Sequence, residues 1–281
     1  MPFVLGAHTF GFVWNCPADE AVEQIGQAGF RHLQLMATPP HYDPWAQESS
    51  VTKRLRSILD RHGISLLALD LASSDINLAS PSSDVVDFAV DAYARTIDRA
   101  AELDAKWICV GSGRRHALLA MANDRLMETF RPAFARIHAK AQARGIGIIL
   151  ENHPQGLLAD AKTIAGFLDA EGYSSIPVIY DVANAFAIDE DPVSGLEILW
   201  PRLGIVHLSD SPQGKWRHDP IGTGAIDFAA IGALLRRKGF EGAVVLEILS
   251  DSPLGGLTDG VAALQAKGFT FHGGPSLAMK E

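Results

Sequence analysis

Only two cysteines occur in the 281 residues, Cys16 and Cys109. Two thiols cannot build a disulfide framework. Cys109 lies in the apolar run WICVG, where a buried thiol is the simple reading, and a reducing, cytoplasmic compartment is expected. Positive charge is scarce: 24 Lys and Arg stand against 33 Asp and Glu, for a formal net charge of −9 and a pI near 5.5. A nucleic-acid partner wants a basic stripe, and an anionic membrane surface wants basic clusters, so neither is expected. No apolar run approaches the roughly 18 residues of a membrane span. The opening MPFVLGAHTF has neither the basic start nor the long apolar stretch of a secretion signal. Linkers and low-complexity segments are lacking too. One domain over 1–281 is therefore expected, with the tail 269–281 left without an assigned structure.

What is present is a steady recurrence of short apolar runs. They are FVLGAHTF (3–10), HLQLM (32–36), ISLLALDL (64–71), WICVGS (107–112), GIIL (147–150), VIYDV (178–182), GIVHLS (204–209) and VVLEIL (244–249). Most lack polar alternation, as strands buried on both faces of a parallel sheet do. Between them lie segments of helical period, such as TIDRAAEL and MANDRLMETFRPAFARIHAKAQARG. Several close on a glycine that leads straight into the next apolar run: Gly29, Gly63, Gly145, Gly172 and Gly239. A glycine past the last helical turn adopts a left-handed conformation at little cost. Eight strands alternating with about eight helices spell an α/β fold, a (β/α)8 TIM barrel. A doubly wound open sheet is the rival. The last helix, LTDGVAALQAKG, has the weakest pattern, and Asp227 is positioned to cap the helix FAAIGALLRR.

Active sites in such barrels gather at the C-terminal strand ends. The fifth strand ends in Glu151 followed by His153, and the sixth in Asp181 followed by Asn184. The seventh carries His207 and Asp210, and the eighth ends in Glu247. Three carboxylates on one rim repel one another and raise one another's pKa values, and a divalent cation removes that conflict. Three oxygen ligands with one imidazole favour Mn²⁺ or Mg²⁺, with Co²⁺ or Zn²⁺ as further options. Around this set, His153, His218, Trp216 and His8 are candidate substrate-binding residues, with His218, in the loop beyond Pro212 and Gly214, expected at the far hydroxyls of a substrate. Arg114 and Arg115 in GSGRRH either bind an anion or decorate a turn.

Glu151, Asp181, His207 and Glu247, in the settings LENHP, YDVAN, HLSD and HDPIGTGAIDF, resemble in order and strand position the metal ligands of the xylose isomerase-like TIM-barrel superfamily of sugar isomerases and epimerases. The resemblance covers nearly the whole chain. It implies one divalent ion held by those four residues, with Glu151 and Glu247 as an acid/base pair on opposite faces of a bound ketose. It also implies a metal-stabilised enediolate, a small carbohydrate substrate and a homo-oligomeric state. Two positions depart from the family's habit. Asn184 stands where a histidine is common, as a substrate-binding amide that cannot shuttle a proton, and Gln34 ends the second strand where an acid is common. A metal-dependent isomerase or epimerase of a ketose or keto-polyol is the leading expectation. A metal-dependent lyase, removing water or CO₂ from a keto-inositol, keto-sugar or sugar acid, is the alternative. A DNA repair endonuclease is a distant third, opposed by the acidic charge.

Overall fold

In the computed structural model, which describes residues 1–46, 50–72, 76–116, 118–119 and 121–275, the apolar runs become a closed parallel barrel. Its strands are β1 (Phe3–His8), β2 (His32–Met36), β3 (Ser65–Asp70), β4 (Trp107–Gly111), β5 (Gly147–Glu151), β6 (Val178–Asp181), β7 (Leu203–Leu208) and β8 (Ala243–Leu246). Each pairs with its successor, and β1 pairs with both β2 and β8. That last pairing closes the ring and removes the open-sheet alternative. The tail adds a short β9 (Phe271–His272) alongside β1, and its last residues, 276–281, lie outside the described part.

The strands alternate between two cores. Inward residues Leu67, Ala68, Cys109, Ile149, Ile179, Ile205, Ala243 and Val245 fill the barrel as a plug. Outward residues such as Leu5, Leu33, Leu69, Ile108, Ile148, Val206 and Leu246 pack against the surrounding helices. The helices are α1 (Ala18–Gln27), α2 (Ser50–His62), α3 (Ser83–Glu102), α4 (Asn123–Ala143), α5 (Ala161–Ala170), α6 (Val182–Phe186), α7 (Pro192–Leu199), α8 (Phe228–Lys238) and α9 (Pro253–Ala266). α3 shows why they lie where they do: Val86, Ala89, Val90, Tyr93, Ile97 and Ala100 recur three and four apart and are all buried. One helix more than the sequence pattern suggests appears because the β6–β7 connection carries two. The extra one, α6, starts on Asp181, whose side chain accepts from the Asn184 amide. The five expected helix-ending glycines all have positive φ, between 59° and 102°. Asp227 caps α8 by accepting from the Ala230 amide at 3.0 Å.

Among the described residues no helix is long and apolar enough to cross a membrane.

Candidate metal centre and substrate cleft

β5 to β8 carry four side chains to one point above the plug. Each of Glu151, Asp181, His207 and Glu247 offers a ligand atom, and these atoms lie within 4.8 Å of one another. His207 Nδ1 is the hub, at 3.1 Å from Glu151 Oε1, 3.1 Å from Glu247 Oε2 and 3.6 Å from Asp181 Oδ2. Asp181 is fully buried and divides its carboxylate. Oδ1 accepts from the Asn184 amide at 2.6 Å, while Oδ2 faces the cluster with no hydrogen-bond partner. A buried carboxylate oxygen without a partner costs stability unless a cation meets it. The other ring nitrogen of His207 donates to Gln34 Oε1 at 2.8 Å, which fixes the ring and leaves Nδ1 aimed at the carboxylates. Donor type, spacing and the orphaned oxygen together fit one divalent ion of the hard or borderline kind.

The electrostatics express the same crowding. Burial alone would depress the His207 pKa. The charge of Glu247 and the nearby carboxylates of Asp181 and Glu151 carry it well above its usual value instead. Burial pushes Glu247 up, but the charges of His207 and His8 hold it well below the usual carboxylate range. Glu151 is raised, first by burial and then by Glu247 and Asp181, against the opposing pull of His207.

A cleft of about 780 Å³ opens over the cluster. Every candidate substrate residue expected from the sequence lines it: His8, His153, Asn184, Trp216 and His218. Their settings differ from what the sequence suggests in two respects. His218 does not stand out toward the far end of a substrate. Its Nδ1 bonds Ser209 Oγ at 3.0 Å and sits 3.5 Å from Glu247 Oε2, beside the carboxylates. Asn184 has both ends of its amide engaged, Nδ2 donating to the Asn152 carbonyl and Oδ1 accepting from Trp216 Nε1 at 2.7 Å. Trp216 in turn meets His153 edge-on, at 4.9 Å between ring centres. Burial lowers the His153 pKa to about 4, so this imidazole is neutral.

Asp210, expected on the rim, serves the loop instead. Its carboxylate accepts from the amides of Ser211, Gly222 and Ile226. Gly224 passes so close that an added Cβ would lie 2.3 Å from Asp210 Oδ1 and 2.5 Å from the Ser211 carbonyl. This is the physical content of the G-x-G in that loop. Arg114 and Arg115 lie in a turn whose backbone is clamped to Asn77 and to the Gln155 carbonyl, and neither lines the cleft.

Sequence reasoning missed Asp70. It ends β3, lines the cleft and accepts from His8 Nε2 at 2.6 Å. His8 Nδ1 accepts from the Phe10 amide, so Nε2 carries the proton. The signal was the one used for the other strands, a carboxylate closing the apolar run LLALD. Cys109 is buried as expected, and its thiol lies 3.6 Å from Glu151 Oε2.

Residues 22–267 match the family described as xylose isomerase-like TIM barrel. The chain is 24% identical over 257 residues to a ketose 3-epimerase of Arthrobacter globiformis, covering 88% of this chain and 84% of that protein. It is 25% identical over 251 residues to a probable endonuclease 4 of Symbiobacterium thermophilum, covering 81% and 87%. The solved structure of D-psicose 3-epimerase with D-tagatose from Clostridium cellulolyticum H10 shares the fold, with a TM-score of 0.76, 20% identity and coverage of 94% of this chain and 98% of that one.

Proposed function

The chain belongs to the xylose isomerase-like TIM barrel family, and from that premise we propose that it is a divalent-metal-dependent epimerase or isomerase of a ketose or related keto-sugar. The observation that carries the reading is the convergence of Glu151, Asp181, His207 and Glu247 on one point, with Asp181 Oδ2 left for a cation. The similarity to a ketose 3-epimerase supports the reaction class. Mn²⁺ or Mg²⁺ suits three carboxylates and one imidazole, with Co²⁺ or Zn²⁺ as alternatives.

When bound, the ion supplies Lewis-acid polarisation of the substrate carbonyl and its neighbouring hydroxyl, which makes the adjacent C–H acidic. The side chains then divide the work. Glu151 comes from β5 and Glu247 from β8, with β6 and β7 between them, so the two carboxylates reach a bound ketose from different sides. One removes a proton beside the carbonyl and the other returns one to the opposite face. Asp181 and His207 hold the ion, and Gln34 holds His207. His153, neutral at physiological pH and accepting from the Gln155 amide at Nδ1, donates from Nε2 to a substrate hydroxyl, while His8, with both ring nitrogens bonded to Asp70 and the Phe10 amide, forms part of the cleft wall.

Metal-dependent incorporation of deuterium from D₂O at one carbon of a ketose, followed by NMR, tests this reading. Exchange with an otherwise unchanged mass supports epimerisation or isomerisation. Loss of water or CO₂ assigns the lyase chemistry instead, and turnover that survives complete metal removal sinks the proposal. The lyase reading draws on no feature of the site that the epimerase reading lacks.

A further inference from the structure

The cleft is larger than the reaction needs and ends in a rim that the proposed chemistry does not use. A hexose has about twelve heavy atoms, whereas clefts of roughly 300–1,000 Å³ take ligands about twice that size or more. Here the volume is about 780 Å³, and only its floor is the cluster. The outer wall is built by three loops that grip one another. The β1 loop passes so close to the β8 loop that a Cβ on Gly11 would lie 2.6 Å from the Ile248 carbonyl. The β8 loop is tied to the β7 loop by the Leu249 amide, which donates to the His218 carbonyl at 2.7 Å. On this wall Trp14, Leu249 and Trp216 line the cleft while 83%, 42% and 40% exposed. Phe10 lines the same cleft and lies edge-on to both His8 and His218. Exposed aromatic surface gathered at the mouth of a cleft is where an apolar face of a ligand comes to rest.

The charge of the cleft narrows what that ligand is. Asp70, Glu151, Asp219, Glu247 and Asp251 line it, and Asp181 lies beneath. Among the described lining residues Arg217 is the one Lys or Arg, and its guanidinium is bonded to Asp219 at 2.8 Å. One divalent ion offsets two of these charges. A phosphate or carboxylate on the substrate would bring further negative charge into a site that still carries an excess of it.

We infer that the substrate is an uncharged ketose joined, at the end remote from its carbonyl, to a second ring, and that Trp14, Leu249 and Trp216 form the subsite that receives this ring. The inference rests on the epimerase reading and names the substrate class for it. The metal cluster holds the reacting end, and the C–H face of the second ring lies on the exposed aromatic rim.

The test uses the full-length protein loaded with Mn²⁺ and three probes: fructose, fructose 6-phosphate and isomaltulose, in which a glucosyl unit sits on O6 of fructose. Binding is read by calorimetry and reaction by deuterium exchange. Isomaltulose should bind at least tenfold more tightly than fructose, and fructose 6-phosphate more weakly than either. Trp14→Ala should erase about three- to tenfold of the preference for isomaltulose over fructose, the worth of one aromatic stacking contact, and Trp14→Phe should restore part of it. A melting curve matching wild type shows that the variants fold. Equal or tighter binding of fructose, tighter binding of the phosphate ester, or a preference untouched by Trp14→Ala overturns the inference. Exchange without any preference for a second ring counts against this inference alone. Ring-dependent binding without exchange on any ketose counts against the epimerase reading alone.

Discussion

The two halves of the barrel do different work at the same rim. β5 to β8 deliver Glu151, Asp181, His207 and Glu247, the groups suited to hold an ion. β1 to β4 deliver His8, Gln34, Asp70 and Cys109, and each of these touches a side chain rather than the centre of the cluster. Gln34 holds His207, Asp70 holds His8, His8 stands 3.9 Å from Glu247 Oε1, and Cys109 lies against Glu151. One half is charged and crowded, and the other supplies the hydrogen bonds that keep the crowd in place. Substitutions in the first half should therefore remove the chemistry or the ion, and those in the second should weaken how well the ion and its ligands are held.

The largest effect is expected from Glu151→Gln and Glu247→Gln. At saturating Mn²⁺, with occupancy measured by elemental analysis, each should cut turnover by about 10²–10⁴-fold, the usual worth of a positioned acid or base. Turnover within tenfold of wild type in either variant would remove that residue from the proton-transfer role. Chelation comes next. Removing a metal present at about a thousandfold over its Kd withdraws about 4 kcal/mol, a drop of several degrees in Tm for a domain of this size. Asp181→Asn should abolish that metal-dependent shift, and a shift of wild-type size in the variant would take Asp181 out of the ligand set.

A smaller effect sharpens the contrast between the halves. Gln34→Leu should weaken metal affinity by about 10–100-fold, as removal of a hydrogen bond behind a ligating imidazole does, while turnover at saturating metal stays much nearer wild type. If turnover falls as far as in the glutamate variants even with full occupancy, the division between holding and reacting is wrong. The smallest effect concerns the loop after β7. Gly224→Ala pushes a methyl onto Asp210 and the Ser211 carbonyl, a clash worth about 1–3 kcal/mol. It should lower Tm and raise KM more than it lowers kcat, which steady-state kinetics on the exchange reaction can separate.

Much of this was legible from local pattern. The eight strands lie within a residue or two of the apolar runs, except at the end of β8, which stops short of its run. The glycines that end helices do take left-handed φ, and Asp227 does cap α8. The four ligand candidates were readable because each closes a buried strand with a residue that a buried strand does not otherwise tolerate. Asp70 obeys the same rule and was passed over. The extra helix α6 was hidden because five residues are too few to show a helical period.

Which rim residues meet, and which face the substrate, was beyond the sequence. Gln34 and His207 are 173 residues apart, and His8 and Asp70 are 62 apart. Asp210 follows the same strand as His207 and became the clamp of a loop. His218 looked like a group at the far end of the substrate and folded back onto the carboxylates. Residue type and period determine the strands, their caps and the kinds of group that reach the barrel mouth, because those are decided within a few residues of chain. Partnerships at the mouth depend on closure, which sets β1 beside both β2 and β8 and brings the loops together in three dimensions. No local signal encodes that neighbourhood, so only the tertiary structure assigns the hydrogen bonds, the orphaned oxygen of Asp181 and the aromatic rim above it.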